Sequence, residues 1–394
     1  MISITKMATG KATVSERITY EGDRSHVPKK LVELSKSLKP VVVWNVTKAC
    51  NLKCVHCYAS ADSSTSGELT TEECKAVIDD LAEMKVPLIL FSGGEPLLRK
   101  DIFELASYAK EKGLKIALST NGTLVSPEVA DSLKEAGFEY VGVSIDGMKD
   151  TNDKFRGVEG AFERAFEGLI NAKEAGLLTG IRFTVTKFNI KDIPAVVDLL
   201  AENEIPRFCL YHLVPSGRAD FSYDISLKER RELLDWLFDK AIELHDEGCK
   251  TEILTVDNPC DGVYVCLKLK EIDEELAIKA FEFLKFRGGD RSGAQLANID
   301  MFGDVHPNQF WWDHTCGNVR EDRFSEIWLN PKDELLIKLR NKTKYLRGRC
   351  GRCAYRQFCG GFRLRALRAG DLWGDDPDCY LTDDEIAKNV FEKI

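Results

Sequence analysis

The stretch that decides the fold is PVVVWNVTKACNLKCVHCY, residues 40–58. Its first part, 40–47, is rich in β-branched residues and predicts a buried strand. Its second part places Cys50, Cys54 and Cys57 on the loop that follows the strand. Three thiolates on one loop leave one coordination position of a bound metal centre without a protein ligand. An open position of this kind is typical of a reactive metal site.

Short apolar runs alternate with amphipathic helical stretches from residue 40 onwards. Repeated βα units of this length predict a parallel sheet with helices packed outside it. Six units are fewer than the eight of a closed barrel, so the sequence predicts an α/β fold with an open, partial (β/α)6 barrel of the TIM type. The predicted strands lie within residues 40–47, 87–94, 115–122, 140–147, 180–189 and 207–218.

Three polar motifs follow successive predicted strands. GGEP occupies residues 93–96, STNG residues 119–122 and SIDG residues 144–147. Taken singly, their glycine and asparagine residues are ordinary turn residues. The carboxyl ends of barrel strands converge on one rim, where active sites assemble, so the three motifs together predict a site there.

The rest of the chain divides into further segments. Residues 1–39 form an N-terminal extension, and residues 40–225 form the predicted barrel. Residues 226–290 are helical and charged, which indicates a bridge or insertion. The alternation stops in 291–394, which we predict to be a small separate domain that begins with a hairpin around a Gly-Asp turn.

A second group of cysteines predicts another metal centre. Cys350, Cys353, Cys359 and Cys379 offer four thiolates, enough to ligate every iron of a 4Fe–4S cluster. A zinc ribbon is the alternative, although zinc usually takes two Cx2C pairs. Cys316 is a fifth candidate ligand, but a packed free cysteine is the favoured interpretation for it.

Composition and charge limit the kinds of partner and the compartment that we expect for this protein. The formal charge of −9 argues against nucleic acid, because phosphate binding needs a basic face. Membrane-spanning and signal-peptide segments are not evident in the sequence. Thirteen cysteines in such a chain fit a reducing compartment, so we expect a cytoplasmic protein.

The C-x3-C-x2-C spacing of the first cysteine group, followed by Tyr58, resembles that of radical S-adenosylmethionine (SAM) enzymes. The resemblance extends over roughly residues 40–220, the length of one domain. It implies a 4Fe–4S cluster on Cys50, Cys54 and Cys57, with SAM bound at the fourth iron. A zinc site completed by His56 or a remote residue is the alternative.

The same resemblance implies a set of SAM contacts at the predicted rim and at Tyr58. It also implies reductive cleavage of SAM to a 5′-deoxyadenosyl radical, which requires no acid–base pair in its first steps. The sequence therefore identifies no catalytic residue. The implied SAM-binding residues are Tyr58, Gly93, Gly94, Glu95, Asn121, Ser144 and Arg182.

The C-terminal cysteines, with CGNVREDRFSEIW at 316–328, resemble the SPASM/twitch domains of these enzymes. A full SPASM domain carries two auxiliary clusters and a cysteine five residues after a turn glycine. Here that glycine is Gly303, and Asn308 stands in the cysteine position. The resemblance therefore implies one auxiliary cluster, on Cys350, Cys353, Cys359 and Cys379, and two clusters in all.

Several stretches, including RFCLYHLVPSGR and HPNQFWW, resemble the tetrapyrrole-modifying radical SAM enzymes, which include 12,18-didecarboxysiroheme deacetylases and heme d1 biosynthesis proteins. The deacetylases remove two acetate side chains from 12,18-didecarboxysiroheme to give Fe-coproporphyrin III in the alternative, siroheme-dependent heme pathway. Candidate substrate contacts are aromatic residues for stacking, arginines for carboxylates and histidines for the iron. They are Phe310, Trp311, Trp312, Arg218, Arg320, His212, His306 and His314.

Other functions remain open at this point. A side-chain-removing enzyme of the heme d1 pathway and a peptide maturase are enzymatic alternatives, and an iron–sulfur electron carrier is the non-enzymatic one. A carrier has no need of SAM motifs, so GGEP argues against it. For the enzyme we expect an iron tetrapyrrole as substrate and an electron donor such as ferredoxin or flavodoxin.

Overall fold

The computed structural model describes residues 1–11, 38–287 and 289–392. Most of the predicted N-terminal extension, residues 1–39, lies outside the described residues. In the part of the chain that is described, no helix is long and apolar enough to cross a bilayer.

One twisted sheet of eleven strands runs through the described chain. Its order is β1-β8-β7-β6-β5-β4-β3-β2-β9-β10-β11. Neighbouring strands from β8 to β9 in this order are parallel, whereas β1, β10 and β11 pair antiparallel with their neighbours. The strands are β1 (Ile2–Ser3), β2 (Val41–Asn45), β3 (Ile89–Ser92), β4 (Ile116–Thr120), β5 (Phe138–Ser144), β6 (Leu178–Val185), β7 (Arg207–His212), β8 (Glu252–Val256), β9 (Leu296–Ile299), β10 (Asp304–His306) and β11 (Gly317–Asn318).

Helices follow most of the parallel strands. The helix after β2 begins with a capping box, in which the Thr70 hydroxyl accepts a hydrogen bond from the Glu73 backbone N–H. The α-helices are α1 (Ile4–Thr9), α2 (Thr71–Met84), α3 (Ile102–Glu111), α4 (Pro127–Ala136), α5 (Lys149–Arg156), α6 (Ala161–Glu174), α7 (Ile193–Glu202), α8 (Leu227–Asp246), α9 (Cys260–Ile272), α10 (Glu274–Arg287), α11 (Phe324–Leu329), α12 (Glu334–Arg340), α13 (Gly348–Arg352), α14 (Arg363–Arg368) and α15 (Asp383–Ala387).

The two faces of each parallel strand carry different side chains. On β2 and β3, Trp44 and Phe91 pack into the large core between the sheet and its helices. The alternate residues Asn45 and Ser92 face the interior of the curved sheet, where both meet the Tyr58 hydroxyl. The side-chain period of two therefore separates an apolar outer layer from a polar interior.

The six predicted strands and the predicted hairpin are confirmed, and so is the α/β fold. The structure adds two parallel strands to the barrel sheet that were not predicted to belong to it. Strand β8 comes from the segment 226–290 and pairs with β7, while β9 from 291–394 pairs with β2. The predicted boundaries at 225 and 290 therefore do not interrupt the sheet, and as domain boundaries they stay predictions.

Candidate active site

The loop after β2 carries the first cysteine group against the rim of the sheet. Each of its three sulfurs accepts one N–H donor. The Leu52 N–H lies 3.4 Å from Cys50 Sγ, and the Ala61 N–H lies 3.4 Å from Cys57 Sγ. Donors of this kind stabilise thiolates, because the negative charge accepts the hydrogen bond.

The third sulfur, Cys54 Sγ, accepts its hydrogen bond from a buried arginine. The Arg156 guanidinium at the end of α5 lies 3.6 Å from this sulfur. It also pairs with the carboxylate of Asp146, which is fully buried. Burial raises the pKa of the Cys54 thiol, and the positive charge of Arg156 opposes that rise. Burial likewise raises the pKa of the Cys50 thiol to about 11.

One compact group of potential metal ligands lies outside both predicted cysteine groups. In a tetrahedral zinc site with Zn–S bonds of ~2.3 Å, two sulfurs lie ~3.8 Å apart. Among the described residues, one group of three or more His, Cys, Asp or Glu has all its ligand atoms within 4.8 Å of one another: His314, Cys316 and Asp333. It contains Cys316, the fifth candidate ligand of the sequence analysis.

Glycine is required where the GGEP motif meets the cysteine loop. The Gly94 N–H donates to the Thr47 carbonyl at 2.7 Å, so the two backbones run side by side. A Cβ on Gly94 would lie 2.2 Å from the Ala49 carbonyl oxygen. Gly93 has a φ of 149°, and its Cβ would lie 2.5 Å from the Thr47 carbonyl oxygen. This pair of glycines lets the rim approach the cysteine loop.

Glu95 lies at the same rim, but its carboxylate points into the protein. It is fully buried and accepts hydrogen bonds from the Thr120 hydroxyl at 2.8 Å and from the Asn121 N–H at 2.7 Å. Burial raises its pKa, which these hydrogen bonds oppose. The Glu95 carboxylate therefore links the end of β3 to the end of β4.

The other predicted SAM contacts line the rim and the interior. The Asn121 amide donates to the Asn51 side chain at 2.8 Å, which links the STNG motif to the cysteine loop. Ser144 ends β5 and is the register partner of Arg182, which lies within β6. Among the described residues Arg182 has no hydrogen bond or ion pair, and its guanidinium lies 4.5 Å from the Tyr211 ring centroid. It can therefore receive a carboxylate.

A pocket of about 560 Å³ opens beside Tyr58. Its walls come from the cysteine loop, the loop after β7 and the loop after β10. Trp312 and Phe221 present aromatic surfaces to it, and Arg368 contributes a guanidinium that pairs with Asp313 at 2.5 Å. A pocket of this volume is typical of small-molecule binding sites.

One residue of the loop after β10 that lines the pocket carries a polar atom without a partner. The Nε1 atom of Trp312 is buried and lacks a hydrogen-bond partner among the described residues. Buried polar atoms are rarely left without a partner, so this N–H can donate to a polar group of a bound ligand.

The four C-terminal cysteines surround a second cavity. Each sulfur again accepts N–H donors, including those of Tyr355 to Cys353 and of Gly361 to Cys359, both at 3.4 Å. Two arginines supply further donors: Arg363 lies 3.4 Å from Cys350 Sγ, and Arg349 lies 3.1 Å from Cys379 Sγ. The donor set suits a group that carries negative charge on its sulfurs.

The structure places Cys316 and Asn308 away from that cavity. Cys316 lies beside His314 and Asp333, 3.8 Å from a carboxylate oxygen of the latter. The Asn308 amide donates to the Ser292 hydroxyl at 2.8 Å and does not line the cavity. Cys260, at the start of α9, does line it, although the sequence did not predict a role for this cysteine.

Most of the arginines and histidines predicted to contact substrate are engaged elsewhere. Arg218 donates to the carbonyls of Cys54 and Ala61 and so braces the cysteine loop. Arg320 pairs with Glu73 on the surface at 2.7 Å. Sequence cannot identify these partners, because they lie far away along the chain.

The three predicted histidines and two of the predicted aromatic residues also contact other groups of the protein. His212 is buried between Asp261 at 2.9 Å and Arg230 at 2.7 Å. His314 pairs with Asp333, and His306 contacts the carbonyl of His314. Trp311 is buried in a small apolar core, and Phe310 packs edge-on against Tyr58, which leaves Trp312 as the pocket-lining member of the aromatic group.

Sequence reasoning missed the residues beneath the cysteine loop. His56 stacks on Phe155 at 4.3 Å between ring centroids and lies 3.3 Å from Asp146. Asp146 belongs to the SIDG motif. A buried carboxylate needs a partner, so this residue was the one feature of the sequence that could have indicated a cation beneath the loop. That partner, Arg156, lies ten residues further along and could not be recognised from spacing.

Two family models match the chain. The radical SAM superfamily matches residues 44–200, and the SPASM iron–sulfur cluster-binding domain matches residues 291–354. This chain is a radical SAM enzyme. Its radical SAM domain binds a 4Fe–4S cluster and SAM, and its SPASM domain binds further iron–sulfur. The predicted cofactor classes are thus confirmed, while their individual ligands stay predictions.

Relatives match this radical SAM enzyme over most of its length. Fe-coproporphyrin III synthase of Methanosarcina barkeri is 49% identical, covering 98% of this chain and 99% of the relative. Pre-heme d1 synthase of Dinoroseobacter shibae is 44% identical, covering 87% of each chain. Among solved structures, Streptococcus suis SuiB bound to its precursor peptide SuiA matches with a TM-score of 0.70 at 20% identity, covering 89% of this chain and 78% of SuiB. The SuiB match supports the fold alone.

Proposed function

We propose that this enzyme removes the two acetate side chains of 12,18-didecarboxysiroheme and so forms Fe-coproporphyrin III. The observation that carries the proposal is the 49% identity to an Fe-coproporphyrin III synthase along almost the entire length of both chains. The similarity extends over the segments that build the pocket as well as over the scaffold, because it covers 98% of this chain.

The pocket beside Tyr58 supports a macrocyclic substrate. It lies next to the cysteine loop, where chemistry at a bound SAM would occur, and its volume is about 560 Å³. Trp312 offers a flat apolar surface to the face of a tetrapyrrole, because aromatic side chains favour stacked contact. Arg368 offers the carboxylates of the substrate a partner that can replace Asp313.

We assign the cofactor ligands as the resemblance implies. Cys50, Cys54 and Cys57 hold the SAM-binding cluster, and the C-terminal four cysteines hold one auxiliary cluster. When bound by these residues, the first cluster and SAM would supply the radical chemistry that abstracts a substrate hydrogen, with one electron from an external donor.

The chain itself positions SAM and excludes water. Gly93 and Gly94 provide backbone close to the cysteine loop, and Arg182 provides the open guanidinium for a carboxylate. Tyr58, Asn121 and Ser144 complete the proposed contacts. Glu95 contributes by fixing the rim, since its carboxylate is used within the protein.

The proposed reaction needs an electron donor for SAM cleavage, and we infer a small carrier such as ferredoxin or flavodoxin. We place the enzyme in the cytoplasm, where reducing conditions keep its thirteen cysteines from forming disulfides.

The test is anaerobic incubation of the reconstituted enzyme with 12,18-didecarboxysiroheme, SAM and dithionite, followed by mass spectrometry of the macrocycle. Loss of two acetate groups is expected, with 5′-deoxyadenosine as co-product. Loss of other side chains would instead support the heme d1 activity, for which the 44% identity to a pre-heme d1 synthase is the specific observation. An unchanged macrocycle beside ongoing SAM cleavage would contradict both.

A further inference from the structure

A nitrogen, a sulfur and an oxygen donor meet where the loop after β10 lies against the start of α12. They belong to His314, Cys316 and Asp333, and all three atoms lie within 4.8 Å of one another. The His314 Nε2 atom lies 2.9 Å from Asp333 Oδ2, and Cys316 Sγ lies 3.8 Å from Asp333 Oδ1. Ligand atoms around a tetrahedral metal ion lie roughly 3–4 Å apart, so these side chains already have the spacing of a metal site.

The fold holds the backbone of all three residues in place. The Cys316 N–H donates to the Val305 carbonyl at 2.7 Å, next to the pairing of β10 with β11. The His314 carbonyl lies 2.7 Å from Nδ1 of the His306 ring. Asp333 is the N-cap of α12, where its Oδ1 accepts a backbone N–H at 2.7 Å and its Oδ2 faces His314. Ligands fixed in this way lose little freedom when they bind an ion.

The mixture of donor atoms favours zinc. Zinc accepts imidazole, thiolate and carboxylate ligands, whereas Mg²⁺ and Ca²⁺ prefer oxygen alone. Zinc also binds such a site more tightly than iron(II) does, so iron present at cluster assembly would not displace it. The His314 side chain is 33% exposed, which lets water reach the position that three protein ligands leave open.

We propose that His314, Cys316 and Asp333 form a zinc site, with a water molecule as the fourth ligand. On binding, the zinc–ligand bonds form and the Cys316 thiol releases its proton to solvent, while no electron is gained or lost. The ion joins the start of α12 to the loop after β10, which carries Trp312 and Asp313 of the pocket wall. This inference is independent of the proposed substrate and of the proposed cluster ligands.

The test measures zinc in the full chain with both clusters reconstituted, so that iron occupies the cluster cysteines. The protein is equilibrated with zinc under anaerobic conditions, desalted and analysed by mass spectrometry of the elements. Zinc K-edge X-ray absorption then counts the sulfur ligands without interference from iron. The variants are Cys316→Ala, His314→Gln and Asp333→Asn, of which the last keeps a side-chain oxygen for the helix cap. Cys249→Ala, a change at another half-buried cysteine, is the matched control.

The unaltered enzyme and Cys249→Ala are expected to retain about one zinc per chain, with one sulfur at ~2.3 Å and nitrogen or oxygen ligands at ~2.0 Å. Cys316→Ala and His314→Gln should fall to background zinc with unchanged iron and an unchanged circular dichroism spectrum. Asp333→Asn should lose zinc to a chelator more readily than the unaltered enzyme.

Equal zinc in Cys316→Ala and in the unaltered enzyme would overturn the proposal, and so would the absence of zinc from the folded enzyme. Three or four sulfur ligands at zinc would also overturn it, because the ion would then occupy vacant cluster cysteines. The experiment uses neither SAM nor a tetrapyrrole, so its failure would leave the proposed reaction untouched.

Discussion

The two cysteine groups of this enzyme lie in opposite kinds of surroundings. Cys50, Cys54 and Cys57 lie on one loop at the rim of the sheet, beside the two glycines of GGEP and an open pocket. The C-terminal group lies in a cavity that gathers five cysteines from three separate parts of the chain. The first group supplies fewer thiolates than a cube has irons, and the four C-terminal cysteines supply as many. The comparison shows that the number of protein thiolates distinguishes a cluster with an iron open to a small molecule from a cluster whose irons are all ligated by the protein.

Removing one thiolate from the first group should give the largest effect. In Cys54→Ala only two thiolates remain, so the SAM-binding cluster should be lost and 5′-deoxyadenosine should fall to background. The measurement is anaerobic product analysis by liquid chromatography, together with iron content, which should drop by about half. Cys74→Ala, a buried cysteine in the helical layer, is the matched control. Retained SAM cleavage in Cys54→Ala would break the comparison.

The equivalent change in the second group should have a smaller effect on SAM. Cys353→Ala should remove up to about half of the iron, because the two sites are separately ligated. Some SAM cleavage should persist without conversion of the macrocycle. Parallel assays of 5′-deoxyadenosine and porphyrin product measure this uncoupling. Loss of all iron in this variant would show that the two sites are not independent.

Arg156 tests the electrostatics beneath the first group. Arg156→Gln leaves the buried Asp146 carboxylate without its cation, which should cost about 3–5 kcal/mol of unfolding free energy. An Asp146→Asn/Arg156→Gln pair should recover much of that stability. It should still bind the cluster less firmly, since Cys54 Sγ has lost a charged donor. Chemical denaturation and the rate of iron release to a chelator separate the two effects. Equal destabilisation by the single and paired variants would contradict this account.

The smallest effect is expected at the surface. Arg320→Ala removes the pair with Glu73 and should cost about 0.2–1 kcal/mol at neutral pH. Arg320, with a backbone N–H of Thr70, lowers the pKa of Glu73 to about 2. The contribution of the Arg320–Glu73 pair to the free energy of unfolding is therefore present above the ordinary glutamate pKa of about 4.3. It is lost as pH falls towards about 2. Urea unfolding at several pH values measures it. A large rise in KM for the macrocycle would instead restore Arg320 as a substrate contact.

Local patterns in the sequence were enough to predict much of this fold. The β-branched runs predicted the six strands of the barrel, which the structure contains. Strand β8 was missed because TEILTV lies between charged helices, and its pairing with β7 depends on the whole sheet. Strand β9 was assigned to a hairpin only, although it also pairs with β2.

The site shows the same division between local and distant information. The C-x3-C-x2-C spacing and the glycines of GGEP are recognisable because their neighbours are close in sequence. Arg218 was taken for a substrate contact because sequence does not reveal that distant carbonyls accept its hydrogen bonds. The sequence could not place Cys260 at the auxiliary cavity for the same reason, since only the folded chain brings α9 to it.

The central claim is that one iron held by the first group has no protein ligand and binds SAM. Electron–nuclear double resonance of the reduced, reconstituted enzyme with SAM labelled at the amino nitrogen with ¹⁵N tests it directly. The account predicts a hyperfine coupling from that nitrogen to the cluster, absent in Cys54→Ala. A cluster that shows no coupling to bound SAM, with its fourth iron ligated by a side chain, would contradict it.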